Sequence, residues 1–133
     1  MRKIFITLLF VLAVAFSIQA FSTAPKTPAA NNADLTSALK SGLPVVVKLG
    51  ADQCLPCRAM KPVLKELAAE QKGKIIVLDL DINENRELAR EFKVTLIPTV
   101  IFYDKHGEPK AKSTGYMSKD ELLKKIAELK LEK

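Results

Sequence analysis

The chain contains two cysteines, Cys54 and Cys57, with only Leu55 and Pro56 between them. A bridge across so short a loop restricts the unfolded chain little, because that stabilisation grows with loop length. The pair is therefore expected to serve chemistry. Cys54 follows an apolar run and a short loop, at the point where a helical pattern begins. Unpaired backbone N–H groups and the positive end of the helix dipole favour a thiolate there. Such settings lower a cysteine pKa from about 8.5 into the range of roughly 3.5 to 7.5. Cys54 is the expected nucleophile. Cys57, one turn further in, is placed to attack the mixed disulfide that Cys54 forms and to release the partner. Pro56 suits the first helical turn, where its missing N–H is not needed.

The same spacing supplies half of many zinc sites. A structural zinc takes about four ligands, whereas the chain offers two cysteines and one histidine, His106. A metal site would need carboxylates, Met60 or a second subunit, so neither metal nor cofactor is expected.

Alternating elements must position the cysteines. Asp34 to Lys40 reads as a short helix ended by Gly42, and the β-branched run Val45 to Leu49 as a buried strand. Cys54 to Gln71 reads as a helix with Met60, Val63, Leu64 and Leu67 on one face, bent at Pro62. A strand over Ile75 to Leu80, a helix over Arg86 to Phe92 and a strand over Thr99 to Tyr103 follow. Asp104 to Gly107 makes a hairpin turn into a strand over Lys110 to Thr114. The last helix, Ser118 to Leu131, opens with Ser118 and Glu121 as a capping box. This order predicts an α/β domain, a central sheet covered by helices on both faces.

The N-terminus has a basic start, Arg2 and Lys3, an apolar run from Ile4 to Phe16 and a small residue at Ala20. Residues 1-20 are read as a signal peptide or N-terminal membrane anchor, 21-33 as a flexible linker containing Pro25 and Pro28, and 34-133 as the domain. The expected location is extracytoplasmic, in a periplasm or at a cell surface, with membrane contact only through an uncleaved N-terminal segment. The formal charge of +6 falls to about +4 without Arg2 and Lys3. In the last helix lysines alternate with acids, and the chain has no Trp, so a nucleic-acid partner is not expected.

From Val45 to Lys130 the chain resembles the thioredoxin family. The resemblance is carried by Cys54-Leu55-Pro56-Cys57-Arg58, Pro62, Ile97-Pro98-Thr99, Gly107 and Gly115, ordered as that family has them. It implies the thioredoxin fold, a mixed sheet between helices, and a cis bond before Pro98 beside the cysteines, positioning substrate. It further implies a substrate groove of Gln53, Leu55, Pro56, Leu96, Ile97, Gly115 and Tyr116, where an extended peptide pairs as an added strand.

Two positions depart from the family pattern. Gln53 stands where the family usually has Trp. Lys48 stands where it commonly has a buried Asp, while Asp79 occupies the place of its frequent partner Lys. An isolated buried lysine would be costly, so Lys48 and Asp79 are expected to pair beneath Cys57 and tune or relay its proton. The alternative is that Lys48 reaches solvent with only its stem buried.

These features imply an enzyme, a thiol-disulfide oxidoreductase acting on protein disulfides or dithiols through a Cys54/Cys57 cycle, and expected to be a monomer. The uncharged Leu55 and Pro56, with Asp52 nearby, point to a reductase of extracytoplasmic disulfides that is recharged by a membrane electron donor. Oxidase or isomerase activity, and a non-catalytic binding or metal-delivery module, are the alternatives.

Overall fold

The computed structural model describes residues 32–131; the expected leader and nearly all of the linker lie outside them. Helix α1 (Asn32–Leu39) begins two residues ahead of Asp34, and Gly42, at φ +78°, completes the turn that follows it. Strand β1 (Val45–Gly50) is buried at every position. Helix α2 (Leu55–Glu70) has Cys54 as its N-cap and runs unbroken past Pro62, which is exposed. Strand β2 (Ile76–Asp81), helix α3 (Arg86–Glu91), strands β3 (Thr99–Tyr103) and β4 (Pro109–Thr114) and helix α4 (Lys119–Glu128) complete the order. The last helix carries the expected capping box, Ser118 with Glu121.

The sheet is mixed, in the order β2-β1-β3-β4. Strand β1 pairs parallel with β2 and antiparallel with β3, and β3 pairs antiparallel with β4. A parallel neighbour requires a crossover, which α2 supplies. The helix therefore starts at the C-terminal end of β1, and its first residues lie over the end of the sheet.

Successive side chains of a strand point to opposite faces, and each face has its own core. On one, Val46, Val100 and Phe102 meet Met60, Leu64 and Leu67 of α2 and Leu122 and Ile126 of α4. On the other, Val45, Val47, Leu49, Ile101 and Tyr103 meet Leu35 and Ala38 of α1 and Leu88 of α3. The strand run thus reads as continuously apolar because helices cover both its sides. Lys48 and Gly50 share the parity of Val46 and so belong to the α2 face.

Candidate active site

At the start of α2, Cys54 and Cys57 are joined by a disulfide. Cys54 is half-buried and Cys57 fully buried, which separates an accessible sulfur from a sheltered one. The backbone N–H of Cys57 donates to Cys54 Sγ at 3.3 Å. That contact is the helix-terminus interaction expected from the sequence: a backbone donor left unpaired by the helix is turned on the first sulfur. Leu55 and Pro56 are exposed, and Leu55 is 72% accessible.

The Ile97-Pro98 peptide is cis. Cys54 Sγ lies 3.8 Å from the carbonyl oxygen of Ile97, so residues 43 positions apart meet across the site. Two hydrogen bonds secure this segment. Thr99 Oγ1 donates to the Leu96 carbonyl at 2.7 Å, and the Gly115 N–H donates to the Pro98 carbonyl at 2.8 Å. Gly115 has φ +101°, a left-handed conformation that favours glycine. Leu96 and Tyr116 flank these residues with much of their apolar surface exposed, and Gln53 is exposed as well. Thr99 entered the sequence reading only as the last residue of the Ile97-Pro98-Thr99 motif, and its role in holding the segment emerges from the bond to Leu96.

Beneath the cysteines, Lys48 and Asp79 face each other in the parallel β1–β2 register and form an ion pair. Lys48 is 2% exposed and Asp79 33%. The ammonium is therefore inside the protein, and the reading in which Lys48 extends to solvent does not hold. Gly50, which the sequence marks only as the residue ending the Val45 to Leu49 run, sits between Lys48 and Cys57. A Cβ there would lie 2.6 Å from Lys48 Cε, 3.0 Å from its Nζ and 2.9 Å from Cys57 Sγ. Its signal was a glycine closing a buried strand two residues after a lysine, on the same face by the period of two.

Asp52 does not stand as a lone negative charge beside Cys54. It accepts from Lys61 Nζ at 2.6 Å. Lys61 is held above the usual lysine range, first by this hydrogen bond and then by the negative charges of Asp52, Asp79 and Asp81, against some desolvation. His106 lies in the β3–β4 turn, at the end of β3 remote from Pro98, in a shallow cavity with Asp104, Lys105 and Lys110. Among the described residues no group of three or more His, Cys, Asp or Glu side chains is arranged to hold a metal ion.

The thioredoxin family model matches residues 26–128. A thioredoxin of Staphylococcus aureus is 41% identical over 91 residues, 68% of this chain and 86% of that protein. A thioredoxin of Rickettsia felis is 39% identical over 85 residues, 64% of this chain and 80% of that protein. The chain also matches a bifunctional thioredoxin reductase/thioredoxin of Mycobacterium leprae, at 40% identity over 91 residues, but spans only 20% of its length.

Proposed function

The chain belongs to the thioredoxin family and is a thiol-disulfide oxidoreductase; from that premise we propose that it reduces disulfides of proteins outside the cytoplasm, working as a monomer. In this cycle the Cys54 thiolate attacks one sulfur of a substrate disulfide, forming a mixed disulfide and expelling the other substrate sulfur as a thiolate. Cys57, as its thiolate, then attacks Cys54 Sγ. The Cys54–Cys57 disulfide forms and the remaining substrate sulfur leaves, so that two electrons pass to the substrate. A dithiol donor in the membrane returns them by the reverse exchange.

The observation that carries this reading is the asymmetry of the two sulfurs. Cys54 is reachable and accepts a backbone N–H, while Cys57 is fully buried behind it. Exposed Leu55, Leu96 and Tyr116 supply apolar contacts for an unfolded or extended segment, and the cis segment supplies backbone groups for pairing. The basic and apolar N-terminal sequence supports export.

Insulin reduction driven by dithiothreitol tests the activity. The protein is expected to accelerate precipitation of the insulin B chain, and Cys54→Ser to fall to the uncatalysed rate. Wild-type protein no faster than dithiothreitol alone would refute the proposal. Fusion of residues 1-33 to alkaline phosphatase, which is active only after export, tests the compartment.

A further inference from the structure

We infer that the ammonium of Lys48 is the electrostatic partner of the Cys57 sulfur, holding it as a thiolate once the disulfide is reduced, with Gly50 providing the space that brings the two together. This rests on the dithiol cycle proposed above and names what tunes its buried half. Lys48 Nζ and Cys57 Sγ both lie within 3.0 Å of the position a Gly50 Cβ would occupy. They are therefore no more than about 6 Å apart, within the range over which a charge alters a neighbour's ionisation. Lys48 is 2% exposed and Cys57 fully buried, so little water screens the attraction.

The charges around Cys57 come from four places. Strand β1 contributes Lys48, β2 contributes Asp79 and Asp81, α2 contributes Arg58 and Lys61, and the loop before α2 contributes Asp52. Asp52 is ion-paired to Lys61. Arg58 is exposed and directed to solvent, where its field is weakened. Asp79 holds Lys48 from the β2 side and is one-third exposed. Of these groups Lys48 is the buried cation beside the sulfur. An ammonium engaged with a carboxylate has no lone pair to take the Cys57 proton, so its contribution is charge, and the proton leaves to water or to the departing substrate thiolate. Favouring the thiolate stabilises the reduced protein relative to the disulfide. The couple is then less reducing than it would be with a neutral residue at position 48.

Opposite responses of two variants test this. In reduced full-length protein carrying ¹³Cβ-labelled cysteine, the Cys57 ionisation midpoint is followed by NMR and the reduction potential is measured against glutathione. Lys48→Met removes the cation and leaves Asp79, so the midpoint is expected to rise by about one unit or more, with a lower potential. Asp79→Asn leaves the cation unopposed, so the midpoint is expected to fall and the potential to rise. Each tenfold change in the exchange equilibrium corresponds to about 30 mV. Lys48→Arg keeps the charge and is expected to restore the wild-type direction. Should Lys48→Met fail to fold by circular dichroism, Asp79→Asn and Lys48→Arg carry the comparison. A merely structural pair would move both variants the same way or not at all, and either result overturns the inference. Divergent midpoints in a protein inactive on insulin would sustain it while removing the proposed activity; fixed midpoints in an active protein would do the reverse.

Discussion

The two faces of β1 solve the same burial problem differently. Val45, Val47 and Leu49 on one side, and Val46, Lys48 and Gly50 on the other, are all withdrawn from water. The first set packs into a cluster of apolar and aromatic side chains from α1, α3 and the neighbouring strands, and contributes stability in proportion to the area covered. In the second, the apolar core stops after Val46, and a charge and a missing side chain occupy the last two positions, under the start of α2. A buried ion pair is weak evidence for stability, because desolvation offsets its attraction. The difference teaches that a single strand can hold the fold with alternate residues and set the chemistry with those between them.

Substitutions can separate these two duties. The largest expected effect on stability lies on the apolar face: Leu49→Ala should lower unfolding free energy by about 2 to 5 kcal/mol. Urea denaturation would read that loss, while the reduction potential of the folded variant should stay at the wild-type value. A shifted potential would mean that the faces are not independent. A smaller cost is expected for Gly50→Ala on the other face, about 1 to 3 kcal/mol from overpacking. Its added methyl collides with Lys48 Cε and Cys57 Sγ, so this variant should also slow disulfide exchange with insulin, which Leu49→Ala should not.

The smallest effect belongs to neither face. Asp104, in the β3–β4 turn, accepts backbone N–H bonds from Glu108 and His106 and pairs with Lys110 at 2.9 Å. The Glu108 bond first, and then Lys110, hold its carboxyl at about 2. A depressed carboxylate contributes stability above its unfolded value, near 3.9, and loses that contribution as pH falls through about 2. The protection factor of the Glu108 amide, its exchange relative to the intrinsic rate at each pH, should therefore fall between roughly pH 4 and pH 2, and Asp104→Asn should abolish that dependence. An unchanged protection factor across that interval would refute the assignment.

Much of this was legible from residue types alone. The β-branched apolar run Val45 to Leu49, the helical spacing of Met60, Leu64 and Leu67, and the Ser118 and Glu121 cap each define an element by local sequence. The element bounds in the structure fall within one to three residues of those readings. The exchanged charges at positions 48 and 79 were visible too, and the parallel register brings them opposite one another. Less legible was Asp52, whose charge looked set to oppose a thiolate. Lys61, nine residues on, meets it only because the loop before α2 folds back toward that helix. Gly50 likewise gains its role from the space it leaves open between Lys48 and Cys57.

By itself the sequence determined the order of elements, the pairing of two sulfurs at a helix start and the presence of one basic residue within an apolar strand. Tertiary structure alone decided that the Ile97 carbonyl approaches Cys54, that Lys48 stays inside, and that its ammonium shares the space beside Gly50 with Cys57. The reason is physical: periodicity and capping act within a few residues of one another, whereas electrostatic coupling depends on distance and on the exclusion of water. Both are set only when strands and helices from separate parts of the chain close over the same point.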